Sequence, residues 1–183
     1  MGVSGAGKTT VGGLLADKLS GVFVDGDDLH SPTNVDKMRQ GIALTDDDRW
    51  PWLDRVARVL REHDGARPLI VSCSALKSSY RRRLGENYHL IYLKGTLSEI
   101  ARRLQARQLQ EGGDHFMPIS LLESQFATLE EPDDAVVLDL GQPLHEIVEK
   151  INRALIQCTP PRYGFVSSLY MQTLDRFCGS HLP

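Results

Sequence analysis

Eight residues at the start of the chain have the types and spacing of a phosphate-binding loop. They match G-x-x-x-x-G-K-[ST] at every fixed position, and they are Gly2, Val3, Ser4, Gly5, Ala6, Gly7, Lys8 and Thr9. Glycines let backbone N–H groups curl around phosphate oxygens, and a helix that follows directs its free N–H groups at the same anion. The lysine reaches the β- and γ-phosphates, and the threonine hydroxyl suits Mg²⁺. This segment, the phosphate loop, therefore predicts a nucleoside triphosphate with Mg²⁺, and Thr10 is included in the cofactor site.

Two aspartates follow the loop at a distance that suits the same chemistry. Asp25 and Asp27 come directly after a short apolar run. On an extended segment, carboxylates two residues apart point the same way. We expect Asp25 to hold the metal together with Thr9, and Asp27 to orient or deprotonate an attacking hydroxyl group. The same residues are also good turn formers, and the spacing alone does not exclude that alternative. A further aspartate, Asp139, is interpreted as the end of a core strand.

Apolar periodicity predicts the elements that hold these residues. It predicts helices at residues 8–19, 51–63, 97–108, 118–129 and 144–155, and strands at 21–24, 69–73, 90–93 and 135–140. Pro51 is expected at the first position of its helix, where its missing N–H has no cost. Strands that alternate with helices predict an α/β fold with a parallel sheet.

Length and composition restrict the classes of protein. The chain has 183 residues and a net charge of −3, which suits one domain and is unfavourable for general nucleic-acid binding. No apolar run approaches the roughly 18 residues that span a bilayer. Three cysteines do not form a disulfide framework, so we expect a reducing, cytoplasmic compartment. The composition shifts after residue 157, which predicts a domain over residues 1–157 and a loosely attached or disordered tail over 158–183.

Several segments, taken together, are similar to one known family. They are residues 1–10 (MGVSGAGKTT), 25–30 (DGDDLH), 34–49 (NVDKMRQGIALTDDDR), 51–53 (PWL), 73–77 (CSALK) with Tyr80 and Arg81, 91–95 (IYLKG), and His115-Phe116 with 124–129 (SQFATL). In this order they resemble the gluconokinases, sugar-acid kinases with a phosphate loop. The resemblance covers the chain from residue 1 to about residue 157.

The resemblance implies both a fold and an activity. The fold is of the nucleoside-monophosphate-kinase type, with a five-stranded parallel sheet in the order 2-3-1-4-5, helices on both faces and a small lid. The activity is phosphorylation of D-gluconate at its 6-hydroxyl by ATP with Mg²⁺, and the family also implies a homodimer. Two other hypotheses are a catalytically impaired nucleotide-binding isoform and another small-molecule kinase of shikimate or nucleotide type.

Gluconate is a polyol with one carboxylate, so its site needs a cation and several hydrogen-bonding groups. The candidate substrate residues are Asp27, His30, Arg49, Lys77 and Arg81. We expect Arg49, with either Lys77 or Arg81, to hold the carboxylate, because a guanidinium can bind it through two N–H groups.

A lid is expected over residues 103–118. Arg103 and Arg107 lie four residues apart on one helical face, so both can close on the phosphates. Arg103 is expected to bind the nucleotide, and Arg107 to neutralise the charge that develops during transfer. The link at residues 108–114 is a few residues longer than is usual in the family.

Members of the family carry an apolar strand before the phosphate loop, and this strand lies at the centre of their sheet. The present sequence starts within the loop. We therefore expect the two flanking strands to lie roughly 10 Å apart. Our leading interpretation is a true start upstream of Met1, with a truncated isoform or a decayed gene product as alternatives.

Overall fold

Seven α-helices and four strands form the part of the chain that the structure describes, residues 1–111 and 119–157. The structure is a computed structural model. The helices are α1 (Lys8–Leu19), α2 (Pro32–Arg39), α3 (Asp46–Glu62), α4 (Ser78–Leu84), α5 (Leu97–Glu111), α6 (Ile119–Thr128) and α7 (Leu144–Gln157). The strands are β1 (Val22–Asp25), β2 (Leu69–Ser72), β3 (Ile91–Lys94) and β4 (Val136–Asp139). None of the described helices is long and apolar enough to cross a membrane.

The strands pair in parallel, as the alternating pattern predicts. β1 pairs with β2, with Asp25 opposite Ser72 at their carboxyl ends. β3 pairs with β4, with Lys94 opposite Asp139. Among the described residues these are two separate two-stranded sheets, and no ladder of hydrogen bonds joins β2 to β3. The expected interruption at the centre of the sheet is therefore present.

Met1 pairs with the free edge of β3. Its ammonium donates to the Ile91 carbonyl, and its own carbonyl accepts from the Leu93 N–H at 2.9 Å. The carbonyls of Leu90 and Lys94 point the other way, because they accept hydrogen bonds from Val136 of β4 and from Leu140 directly after it. Met1 thus makes a parallel pair on the side of β3 away from β4, and the phosphate loop starts from that edge.

Two hydrophobic clusters pack on opposite faces of β2. The first contains buried side chains of α1, α7 and the sheet β3–β4, and Ile70 of β2 packs against it. The second gathers α3 and α4, and Val71 of β2 packs against it. Successive side chains of a strand point to opposite faces, so helices cover both faces of this strand.

The prediction for the start of α3 was wrong. The helix begins at Asp46, and Pro51 lies inside it. Thr45 and Asp48 form a reciprocal capping box, and three aspartates in the first turn favour a helix N-terminus. The apolar pattern begins only at Trp52 and Leu53, so it marks the buried part of the helix and misses its polar first turn. The tail at 158–183 and residues 112–118 of the predicted lid lie outside the described residues.

The pairing of Met1 has a consequence for stability, because it buries the terminal amino group. Burial, together with the charge of Lys8, lowers the pKa of the Met1 amine from 8.0 to about 5. Between pH 5 and pH 8, the Met1 amine is protonated in the unfolded chain but not in the folded chain. The free energy of unfolding is therefore expected to rise with pH from about 5 to 8.

Adding about five aliphatic residues before Met1 is expected to raise Tm by several degrees, because the free edges of β2 and β3 then gain backbone partners. The measurement is thermal unfolding at several pH values between 5 and 8. An extension of equal length made of Gly and Ser is the control, because it also moves the terminal amino group out of the protein but forms strands poorly. Equal gains from the two extensions would contradict the pairing argument.

Candidate active site

The phosphate loop runs from the edge of β3 into α1. Gly5 and Gly7 have φ values of 79° and 81°, in the left-handed region that favours glycine, and Gly7 caps α1. The Ser4 N–H donates to Oε1 of Gln125 on α6 at 2.7 Å. Nζ of Lys8 donates to the Val3 carbonyl at 3.2 Å. The loop therefore curls as the motif predicts, with the lysine folded over it. Thr10 lies exposed in the first turn of α1.

The Asp25 carboxylate accepts three hydrogen bonds at the entrance to the loop. The hydroxyl groups of Thr9 and Ser72 donate to its two oxygens, each at 2.7 Å, and the Asp27 N–H donates at 3.0 Å. Burial acts to raise the pKa of Asp25, but these hydrogen bonds, Thr9 first, outweigh it, and the net shift is downward. The carboxylate therefore stays ionised beside the Thr9 hydroxyl, and these are two hard oxygen donors of the kind that Mg²⁺ prefers.

Asp27 lies on a turn, which corrects the expectation of an extended D-x-D segment. β1 ends at Asp25, and the next four residues form a 3₁₀ turn, Gly26–Leu29. The Asp25 side chain caps this turn through the Asp27 N–H, so the two carboxylates do not simply point the same way. The residue is exposed at the surface, but desolvation by the groups around its carboxylate raises the pKa of Asp27, although Lys8 and Arg49 oppose the shift. A carboxylate with a raised pKa is a better proton acceptor than an ordinary aspartate.

His30 stacks on a buried tryptophan. Its ring lies 4.3 Å from that of Trp52, with an angle of 12° between the planes. Trp52 in turn donates from Nε1 to the Gly26 carbonyl at 2.7 Å. Burial, with the charges of Arg49 and Arg55, lowers the pKa of His30 to about 4. The imidazole is therefore neutral at physiological pH.

The basic residues of the predicted substrate site differ in their partners. Lys77 forms an ion pair with Asp46, at 2.8 and 2.9 Å to the two oxygens, and the Tyr80 hydroxyl donates to the same carboxylate. Arg49 lies 5.8 Å above the Tyr80 ring, and its Nε is 3.4 Å from the Leu44 carbonyl. Within the side chains that the structure describes, no carboxylate forms an ion pair with Arg49.

Arg81 has backbone partners. Its Nη1 lies 3.0 Å from the Leu76 carbonyl, 2.9 Å from that of Glu130 and 3.5 Å from that of Ala75. These contacts connect α4 to the segment after β2 and to the end of α6. The guanidinium therefore has a structural use that the sequence did not indicate, and its contact with substrate stays a prediction.

The two arginines of the predicted lid lie on α5. Arg103 donates to the Leu140 carbonyl, just after β4, and is exposed. Arg107 lies one turn further on and is also exposed. Their contact with a nucleotide stays a prediction.

Three residues of the site had no predicted role. Ser72 is paired in register with Asp25 and donates to it, and Asp46 accepts from Lys77 and Tyr80. Asn34 is buried between His30 and the start of α3. The position of Ser72 at a strand end was a usable signal, but nothing in the sequence pairs Asp46 with Lys77, 31 residues away.

Known proteins resemble the chain over most of its length. The sequence model of the shikimate kinase family matches residues 4–156. A gluconokinase from Gluconobacter oxydans is 49% identical over 150 residues, which cover 79% of this chain and 82% of that protein. The thermosensitive gluconokinase of Escherichia coli is 39% identical over 85% of both chains. The crystal structure of a gluconokinase from Sinorhizobium meliloti has a TM-score of 0.75 and 42% identity, with 94% of each chain covered.

The parallel strands, the phosphate loop and these matches define the class as α/β kinases with a phosphate loop. Within that class the matching relatives of high identity are gluconokinases, although the family model bears the name shikimate kinase. The chain belongs to the gluconokinase family.

Arg81→Lys is expected to lower the free energy of unfolding by about 1–3 kcal/mol, because an ammonium group cannot serve the same carbonyl oxygens with the same geometry. The measurement is urea unfolding, together with KM for the acceptor. Arg82→Lys is the control, because the Arg82 guanidinium donates to a hydroxyl on its own helix. Unchanged stability with a raised KM would assign Arg81 to the substrate instead.

Proposed function

We propose that this chain transfers the γ-phosphoryl group of ATP to the 6-hydroxyl of D-gluconate and releases 6-phospho-D-gluconate. The names of its relatives support gluconate as the acceptor. The observation that carries the proposal is Arg49. It is a guanidinium without an ion-pair partner among the described side chains, and its charge acts on Asp27, His30 and Asp46. A cation in this position suits an acceptor that carries one carboxylate.

The nucleotide side of the site consists of the phosphate loop and the start of α1. Backbone N–H groups of the loop and the N-terminus of the helix attract the phosphates, and Lys8 adds a full positive charge. The metal ligands are Thr9 and Asp25, whose oxygens lie 2.7 Å apart, and Mg²⁺ bound there would neutralise charge on the β- and γ-phosphates. Arg103 and Arg107 would approach the phosphates from α5.

The acceptor side consists of the turn after β1 and the start of α3. Asp27, with its raised pKa, orients the 6-hydroxyl and accepts its proton. Arg49 binds the carboxylate at the other end of the molecule, and His30 contacts an oxygen between them. Lys77 contributes mainly by holding the Asp46 carboxylate, which also accepts a hydrogen bond from Tyr80. Positioning and charge neutralisation account for most of the catalysis in such a transfer.

Several features of the proposal extend beyond the described residues. We retain a domain over residues 1–157 and a separate tail over 158–183, and a lid that includes residues 112–118. A homodimer and a cytoplasmic location are also retained as predictions. We expect no nucleic-acid or membrane partner.

The acceptor is tested by measuring ADP release with gluconate, shikimate and AMP in parallel. Release of ADP with gluconate alone supports the proposal. Faster release with shikimate or AMP would favour the alternative hypothesis of a kinase of shikimate or nucleotide type. Lys8→Ala is the inactive control. Release with none of the three, together with stabilisation by Mg·ATP in a thermal melt, would instead support the impaired nucleotide-binding isoform.

Asp27→Asn is expected to lower kcat by about 100-fold or more, because the amide cannot accept the proton of the hydroxyl. The affinity for ATP should change by less than about threefold, because Asp27 faces the acceptor. Steady-state kinetics and nucleotide titration provide the two measurements. Asp28→Asn, an exposed neighbour, is the control. Unchanged turnover with lost ATP affinity would place Asp27 on the metal side.

Arg49→Leu is expected to lower kcat/KM for gluconate by about 100-fold, since it removes a charged hydrogen-bond partner. D-Glucitol has the same 6-hydroxyl but no carboxylate, so its kcat/KM should change little. Arg58→Leu, an exposed arginine on the same helix, is the control. Equal losses for both polyols would show that Arg49 acts on something other than the carboxylate.

A further inference from the structure

Asn34 is a buried polar side chain at the back of the acceptor site. Its residue is 4% exposed, and the only other buried polar or charged residue among those described is Ser72. It lies on α2, whose first turn is capped by Ser31 and carries a proline at its start. The amide nitrogen Nδ2 has two neighbours, the Asp48 carbonyl at 2.8 Å and Nδ1 of His30 at 3.4 Å. Burial without such partners would be costly, so both contacts restrain the amide.

The two contacts together determine which ring nitrogen of His30 carries the proton. The Asp48 carbonyl can only accept a hydrogen bond, so the amide group must present its NH₂ to it. The same NH₂ then offers its second hydrogen to Nδ1 of His30. Nδ1 must therefore be the acceptor. A neutral imidazole has one N–H, so that hydrogen is on Nε2.

The ring is held in this orientation from its face as well. Trp52 is fully buried and stacks on it, with the centroids 4.3 Å apart. Nε2 of His30 has no hydrogen-bond partner among the described residues. Among the described residues, the only buried side-chain atom that lacks a hydrogen-bond partner is Nη2 of Arg55. Because Nε2 of His30 lacks a partner too, it is not buried and is accessible to a ligand. An N–H group that is oriented, accessible and unpartnered is thus presented by the residue that ends the turn carrying Asp27.

The charges around His30 favour the neutral ring. Burial contributes most to lowering the pKa of His30 to about 4, and the positive charges of Arg49 and Arg55, both on α3, act in the same direction. The carboxylate of Asp48, whose carbonyl accepts from Asn34, is bound by Lys37 and by Thr45. His30 is therefore not drawn into an ion pair that would protonate it.

We propose that Asn34 is a positioning residue that holds His30 as the neutral Nε2–H tautomer, so that His30 donates a hydrogen bond to an acceptor-substrate oxygen and cannot take the proton of the attacking hydroxyl. The inference rests on the proposed function for the identity of the substrate. It assigns two different tasks to two neighbouring groups: Asp27 accepts the proton, and His30 supplies a donor. An imidazole with its lone pair on Nδ1, turned towards Asn34, has none to offer the substrate.

The tautomer is measured directly from the ring ¹⁵N shifts of the full chain labelled in histidine. His30 is assigned by the signal that disappears in His30→Gln. We expect Nδ1 to have the shift of an unprotonated nitrogen and Nε2 that of a protonated nitrogen, the two being distinguished by their couplings to the ring protons Hδ2 and Hε1, without titration between pH 6 and 8. An Nδ1–H ring, or a doubly protonated ring near pH 6, would overturn the proposal. This measurement needs neither a variant of Asn34 nor any substrate.

Asn34→Asp tests the role of the amide. A carboxylate can only accept, so it should shift the proton to Nδ1, raise the pKa of His30 and raise KM for gluconate about tenfold, with KM for ATP unchanged. Asn87→Asp, which makes the same change at an exposed position, is the control. An unchanged tautomer in a folded Asn34→Asp chain would overturn the role of Asn34.

Variants of His30 show whether this residue acts as a hydrogen-bond donor or as a general base. The Gln amide can donate from a position near that of Nε2, so His30→Gln should keep kcat within about tenfold, while His30→Leu should lose more. Equal losses of about 100-fold or more in both would identify His30 as the base and overturn the proposal. Addition of gluconate should also shift the Nε2 signal of the wild-type chain. If the tautomer is as expected but gluconate shifts nothing and is not phosphorylated, the proposed function fails while the tautomer assignment stands.

Discussion

The Asp25 carboxylate connects the nucleotide side of the site to the acceptor side. It receives the Thr9 hydroxyl from the first turn of α1, the Ser72 hydroxyl from the end of β2 and the Asp27 N–H from the following turn. These donors come from three elements that are distant in sequence. Because one ionised group accepts all three hydrogen bonds, the positions of the phosphate loop and of the acceptor turn depend on each other.

The turn after Asp25 depends on a close backbone approach that only glycine allows. A Cβ at Gly26 would lie 2.3 Å from the Ser72 carbonyl oxygen, so a larger residue would push the turn away from β2. The Gly26 carbonyl also accepts from Trp52, which carries the stacked His30 ring. The turn is thus joined to α3 as well as to β2, and Asp27 and His30 are held on one rigid support.

Charge pairing around the start of α3 leaves Arg49 without an ion-pair partner among the described side chains, and Arg55, further along the helix, also has none. Lys37 is bound to Asp48 and Lys77 to Asp46, and each pair also takes part in local hydrogen bonds. Arg49, in the first turn of the same helix, lies over the Tyr80 ring and has no ion-pair partner among the described side chains. The family membership explains why an anionic polyol is the proposed acceptor, and the pairing explains which residue would bind its charge.

The sequence by itself determined the features that depend on neighbouring residues. The phosphate loop, α1 and the parallel strands all follow from contiguous spacing and apolar periodicity, and the structure confirms them. The short helices α2 and α4 and the polar first turn of α3 were missed, because they bury too few side chains to produce a period. Tertiary structure alone decided that Arg81 serves backbone carbonyls, that Arg49 has no ion-pair partner among the described side chains, and that Asn34 contacts His30. The physical reason is that ion pairs and hydrogen bonds require proximity in space, and chain spacing predicts proximity only within one element.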